Sequence, residues 1–425
     1  ASDTENDNIA IGYAAMTTNT AGGQFNVAVG NYAMDALTSG DNNTAVGYEA
    51  LSANTTAISN TAFGHTALAT TSTGGYNTAV GYEALNQNTT AASNTAIGVY
   101  ALKANTTGTR NIAIGHAAYD ASDTENDNIA IGYEAMTTNT AGGQYNIGIG
   151  NYSLDALTSG DYNVALGFDN LTHLSTGSSN TSIGHGAGKE TLAGTNTAVG
   201  YVALFQNTTG GDNVAIGSGA MYGNSGNSTG SNNVAVGVSA LNVNRAGASN
   251  VAVGVGALAA NTTASNNTAI GAGAASGTTT GASNVAIGVN ALDLNVGGAY
   301  NVAIGHLCND TATGSSNNVA MGYNALSAAN GSNNTAIGHQ CMKNSTSTYS
   351  TAMGYNALTG AGGDYACAFG MNAAAANTAN STIAFGYGAA TANTSGARNL
   401  AIGYEAYDSS DTENDNIAIG YEAMT

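Results

Sequence analysis

The chain has 425 residues, with 59 glycines, no proline, no tryptophan and only 8% charged residues, whereas an ordinary soluble domain carries about 25% charged residues and roughly 7% glycine. An ordinary globular enzyme is therefore excluded, and a hydrophobic share of 43% excludes a disordered chain. Six basic against 26 acidic residues give a formal charge of −20. The cations, Lys103, Arg110, Lys189, Arg245, Lys343 and Arg398, come one at a time and cannot neutralise a row of phosphates, so nucleic acid is no partner.

Residues Ala1-Ser2-Asp3-Thr4-Glu5 lack the basic and apolar regions of a signal peptide, and no run approaches the ~20 apolar residues of a membrane span. Membrane insertion by this segment is not expected, and any export signal or anchor is expected outside it. From Asn8 to Asn416 the pattern Asn-(Thr/Val/Ile)-Ala-(Val/Ile)-Gly recurs in 25 copies, with glycines from Gly12 to Gly420. Most steps are 16, 17 or 18 residues, with one of 20 between Gly217 and Gly237. No segment escapes the pattern, which predicts one continuous array over 1–425, and the repeats are expected to run on beyond both ends.

A unit this short is below the size of ankyrin or tetratricopeptide helix pairs and fits one coil of a β-solenoid. β-branched residues favour strands, and alternation places Thr/Val/Ile on one face and Ala on the other. The Gly takes positive φ and turns the chain. A second short strand, as in Tyr48-Glu49-Ala50-Leu51, and a loop such as Asn54-Thr55-Thr56 complete the coil. Stacking 25 coils at strand spacing gives a rod about 120 Å long. The leading Asn, present in 22 copies, is expected to form a ladder of side-chain amides along the axis.

The runs Asn43-Thr44-Ala45-Val46-Gly47, Asn111-Ile112-Ala113-Ile114-Gly115 and Asn301-Val302-Ala303-Ile304-Gly305 resemble the repeat of YadA-like heads of trimeric autotransporter adhesins. That resemblance implies a left-handed parallel β-roll assembled as a trimer. The longer unit Asn77-Thr78-Ala79-Val80-Gly81-Tyr82-Glu83-Ala84-Leu85, followed by Asn88-Thr89-Thr90, also resembles repeats of virus and phage tail-fibre proteins. An oligomer is expected on physical grounds too. A strand apolar on both faces needs two cores, and a long exposed alanine column is a patch monomers rarely tolerate, so the Ala face is expected to meet its copies in a closed homotrimer.

Candidate chemistry is sparse. His65, His116, His185, His306 and His339 occupy a slot after the motif Gly that holds Tyr in ten other copies, which reads as a planar, stackable position; metal or anion binding there would need symmetry copies to converge. The acidic block recurs as Asp3, Glu5 and Asp7, as Asp123, Glu125 and Asp127, and as Asp411, Glu413 and Asp415. Carboxylates two residues apart supply hard oxygens to Ca²⁺ or form a solvated loop; Ca²⁺ is the one candidate cofactor. Residues 1–50 are nearly repeated at 121–170, a duplicated structural block. Cys308, Cys341 and Cys367 follow the repeat and are expected as free, buried thiols.

No catalytic signature is present, and no enzyme is expected. The reading is a shaft or head of an extracellular homotrimeric virus or phage fibre that spaces a receptor-binding tip, its outside partner a cell-surface receptor or glycan. A bacterial adhesin head is the alternative, and an ice-binding or Ca²⁺-binding solenoid the third. Thr44, Thr61, Thr78 and Thr95 share their slot with Val and Ile, so that slot is expected to look inward, which disfavours an ice-binding Thr plane.

Overall fold

The computed structural model describes residues 7–19, 21–139, 142–223, 228–311, 313–327, 331–360, 362–408 and 412–424. It divides into two units, 1–211 and 212–425. Each is an all-β parallel solenoid with a 17-residue repeat and, among the described residues, no helix. In the first unit, three-residue strands from β1 (Ile9–Ile11) to β12 (Thr197–Val199) stack in chain order, and in the second, strands from β13 (Val214–Ile216) to β25 (Ile417–Ile419) do the same. Neighbours pair in parallel without register slip, as in Thr44↔Thr61, Ala45↔Ala62 and Val46↔Phe63. Counted from strand to strand, this gives about 23 turns.

Two expectations are overturned. The alanine of each strand faces into its own coil: Ala28, Ala45, Ala79, Ala113 and Ala235 are all 0% exposed, while the flanking Thr, Val and Ile are half-buried or exposed. The reason is volume. The opposite wall of the coil supplies Leu51, Leu68, Leu85 and their counterparts, also fully buried, and little more than a methyl group fits between the walls. Where Gly148 replaces the alanine, Met136 and Ser153 already lie 3.0 Å from the position a Cβ would take. The alanine column is thus core, and it leaves no Ala face through which copies could meet.

The segment after the glycine corner is a chain of turns and bends rather than a second strand. Its second and fourth residues have positive φ, as at Glu49 and Leu51 (both 52°), Glu83 (53°) and Leu85 (50°). This swings two consecutive side chains inward, so Ala50 and Leu51 are both buried, which strand alternation forbids. A left-handed non-glycine residue costs roughly 1–2 kcal/mol. Hydrogen bonds to both neighbouring coils offset it: Glu49 N–H donates to Asn31 O and Leu51 N–H to Ala67 O, each at 3.0 Å.

The asparagine ladder is present. Asn26 Oδ1 accepts from Asn43 N at 2.8 Å and Asn43 Nδ2 at 3.1 Å, while Asn26 Nδ2 donates to Gly40 O at 2.8 Å. Further along the column, Nδ2 of Asn60, Asn77, Asn163, Asn250 and Asn301 donates to a carbonyl of the next coil, and that of Asn77, Asn163, Asn250 and Asn301 also donates to the Oδ1 of the preceding rung. Where Ser350 replaces the asparagine, its hydroxyl accepts from Ala366 N at 3.0 Å and keeps the column going.

Candidate functional site

Turning alanine inward turns the branched residues outward. In the first unit two files run along the strands, one of Val27, Thr44, Thr61, Thr78, Thr95, Ile112 and successors, the other of Val29, Val46, Phe63, Val80, Ile97 and Ile114. Phe63 is 57% and Ile97 40% exposed. Because the strands are in register, these side chains form one continuous, mostly apolar ribbon; the second unit repeats it with Val234, Val236, Val251, Val253 and Ile270. The expectation that the Thr slot looks inward is corrected by the same burial: Thr44, Thr61, Thr78 and Thr95 face out, in a run of four before Ile112 interrupts it.

A second column is aromatic. In the first unit every coil contributes one ring, in the order Tyr13, Tyr32, Tyr48, His65, Tyr82, Tyr100, His116, Tyr133, Tyr152, Phe168, His185 and Tyr201, with successive centroids 5.1–6.0 Å apart. Rings that directly follow the glycine stack face to face or nearly so; Tyr32, Tyr100 and Tyr152, one residue later, meet their neighbours edge-on. The histidines are members of this ladder, as their alternation with Tyr implies. The sequence held an overlooked signal: the coils with Asn31, Val99 or Asn151 in the ring slot each carry Tyr at the next residue. In the second unit the ladder runs through His306, Tyr323, His339 and Tyr355 and again through Tyr387, Tyr404 and Tyr421, with Met371 in the slot between. Stacked faces are spent on each other, each pair contributing about 0.5–1.5 kcal/mol.

Among the described residues, the acidic blocks do not bring their carboxylates together. Glu125 is 1% exposed. Its Oε2 accepts from Ser122 Oγ, Asp123 N and Thr124 N, and its Oε1 from Gly142 N. Asp123 accepts from Thr106 Oγ1. Asp127 forms a two-pronged ion pair with Arg110 at 2.6 and 2.7 Å, which holds its carboxyl below the usual range. Asp415 repeats that pair with Arg398 at the same distances, with the same effect on its carboxyl. Glu413 is exposed, with Oε2 accepting from Thr412 N at 3.2 Å, and Asp7 is exposed. Asp3, Glu5 and Asp411 lie outside the described residues. Among the described residues no three His, Cys, Asp or Glu side chains are grouped to hold a metal ion.

Block and core are linked by a tyrosine. Tyr119 replaces the usual Leu before the block and is fully buried; its hydroxyl accepts from Asn128 Nδ2 at 2.5 Å and Asn139 Nδ2 at 2.9 Å, and burial raises its pKa. Tyr407 occupies the corresponding place beside Glu413 and is likewise fully buried; its hydroxyl donates to the Glu413 carbonyl at 3.0 Å and accepts from Asn416 Nδ2 at 2.9 Å.

Cys308 and Cys341 are free and buried, and Cys367 is free but only half-buried, because it sits in an outward strand position instead of the core. Burial pushes the Cys308 and Cys341 thiols up to about 12. Since the thiolate is the reactive form, both are expected to resist a thiol-specific reagent at pH 8 in the native state and react only on unfolding, while Cys367 reacts first. Stoichiometry of modification before and after adding denaturant checks this.

No protein-family model matches the chain, and no curated protein is similar to it.

Proposed function

We propose that the chain is a structural repeat segment, shaft or head, of an extracellular fibre in which three copies associate, a left-handed β-roll of the virus or phage tail-fibre kind that spaces or presents a receptor-binding tip. The observation that carries this reading is the outward apolar ribbon. It is built from two in-register files that run along every strand of each unit, monomers rarely expose contiguous apolar patches of more than a few hundred Å², and identical chains cover such a face by closed symmetry. Self-association therefore runs through the Val/Ile/Thr face. The function is mechanical: stability spreads over nearest-neighbour coil contacts, with a surface of high negative charge that keeps fibres apart.

Sedimentation equilibrium and light scattering test the assembly. The wild type is expected at three times its 41.7 kDa chain mass. The double variant Ile114→Lys and Ile131→Lys places charges in the ribbon, costs several kcal/mol per interface, and is expected to fall to the single-chain mass with an unchanged far-ultraviolet spectrum. A wild type that stays a folded monomer at micromolar concentration refutes the proposal.

The outward Thr44, Thr61, Thr78 and Thr95 favour a second reading over those four coils, a flat Thr file that orders water as an ice-binding plane. Thermal hysteresis of the wild type, lost in Thr61→Lys, is the measurement that decides it.

A further inference from the structure

The coil that begins with β11 (Thr181–Ile183) departs from the repeat at three core positions at once. Gly188 stands where Leu171 and Leu204 stand in the adjoining coils, Ser182 where Ala165 and Ala198 stand, and Thr191 where Leu174 and Asn207 stand. All three are buried, Ser182 at 1% and Thr191 at 0% exposure. They also face one point. The position a Cβ would take on Gly188 lies 3.3 Å from Ser182 Oγ and 3.4 Å from Thr191 Oγ1, with Leu171 Cδ2 as its third near neighbour at 2.8 Å. A leucine side chain has been exchanged for space, and two hydroxyls line that space.

Among the described residues neither hydroxyl has a hydrogen-bond partner. A threonine at this place in the coil is not orphaned by the fold itself: Thr71, whose coil keeps Leu68, accepts from Asn88 Nδ2 of the next coil at 3.1 Å. Beside Thr191 the corresponding amide, Asn207 Nδ2, donates to Gly210 O at 2.7 Å instead, and Leu174 of the preceding coil is apolar. Ala275 and Thr278 repeat the combination of a small residue with an unpartnered threonine hydroxyl. The strand residue of that coil is Ala269, however, so it brings one hydroxyl where the coil of Gly188 brings two.

We propose that the coil of Gly188 binds one water molecule inside its core, held by Ser182 Oγ and Thr191 Oγ1 in place of the missing leucine side chain. Each hydroxyl both donates and accepts, so the two can share a single water. Buried polar groups are nearly always paired, and interior waters sit where two to four otherwise unsatisfied groups converge. The space suffices, because glycine for leucine removes four carbons and a water needs a cavity of only about 10–15 Å³. Leu171 leans into part of it, which limits the occupant to a molecule of that size. The three nearest atoms are neutral, so the site suits water and not an ion. The site lies inside one coil, and the proposal is independent of self-association.

A direct count and a variant cycle test it on the full chain. Oxygen-17 relaxation dispersion, which counts long-lived interior waters, should find one fewer per chain in Gly188→Leu than in the wild type. Leucine suits this backbone, since Gly188 has φ of +62° or less, at +58°, and Leu171 and Leu204 hold 51° and 53° at the same place. Gly188→Leu alone should not raise hydrogen-exchange protection of residues 181–204, because it evicts the water and leaves both hydroxyls unpaired. In the background Ser182→Ala with Thr191→Leu, which restores the Ala165, Leu171 and Leu174 composition of the preceding coil, the same substitution should raise protection; the difference measures the coupling. A density map of the crystallised wild type should show a peak within about 2.6–3.2 Å of both oxygens. An unchanged water count, an equal gain in protection in both backgrounds, or a map in which the hydroxyls bond to protein atoms or border a dry, xenon-binding cavity would each overturn the proposal.

Discussion

Gly81→Ala is expected to be among the most damaging single substitutions in the chain, costing at least about 3 kcal/mol and opening the coils on either side of it. Two independent effects add at this residue. Its φ of +139° lies in a region populated almost only by glycine. A Cβ there would also fall 2.4 Å from Gly98 O and 2.6 Å from Gly98 C, and these are backbone atoms of the next coil that no side-chain rotation can move away. The corner glycines stack directly on one another, each receiving the next carbonyl where a side chain would be. Hydrogen exchange is the appropriate measurement, because in a nearest-neighbour array damage stays local. Amides of residues 78–98 should lose protection while those near Gly167 keep theirs. Unaltered protection throughout would falsify the stacking argument. As a contrast, Glu83→Gly, at a non-glycine residue with φ of 53°, is expected to cost far less because it relieves left-handed strain.

Removing one rung of the amide ladder ranks next. Asn77 is fully buried. Its Oδ1 accepts from Asn94 N at 3.0 Å, and its Nδ2 donates to Ala91 O at 2.9 Å and to Asn60 Oδ1 at 3.1 Å. Leucine has a similar volume but leaves the Asn94 N–H buried without its partner, at about 1–3 kcal/mol, and takes from the Ala91 carbonyl one of its two donors, the other being Asn88 Nδ2 at 3.2 Å, at about 0.5–1.5 kcal/mol more. A total loss of about 2–4 kcal/mol is therefore expected for Asn77→Leu. Asn77→Ser should lose about half as much, since a hydroxyl can accept the neighbouring N–H as Ser350 does from Ala366 at 3.0 Å. Chemical denaturation of the three proteins, read by circular dichroism, gives the order. Equal losses for Ser and Leu would mean that packing, rather than hydrogen bonding, holds the column.

Much of this architecture is legible in residue spacing alone. A 17-residue period with Asn, a β-branched residue, Ala, an apolar residue and Gly at fixed places specifies a solenoid coil, an amide ladder and a glycine corner, because each of those residue types is selected by backbone geometry: the amide by the unpaired groups beside it, the glycine by a φ closed to other residues. The alternation of His with Tyr in one slot likewise marks a ring ladder. The transfer of the ring to Tyr32, Tyr100 and Tyr152 was also written in the sequence, in the coils whose usual slot holds Asn31, Val99 or Asn151.

Other features were decided only by the fold. An apolar residue on each side of a strand does not say which side is inside; the width left by Leu51 and its counterparts decides that, and it admits alanine and sends Val, Ile and Thr outward. The left-handed residues at Glu49 and Leu51 run against intrinsic preference and hold because both adjoining coils hydrogen-bond them. The acidic blocks look alike as strings, yet Glu125 turns inward to four donors while Asp127 reaches Arg110 one coil away. The hydroxyls of Ser182 and Thr191 converge beside Gly188 because the coil closes on itself, a relation that neighbouring letters do not carry. Local periodicity fixes the coil, and packing between coils fixes what the coil presents.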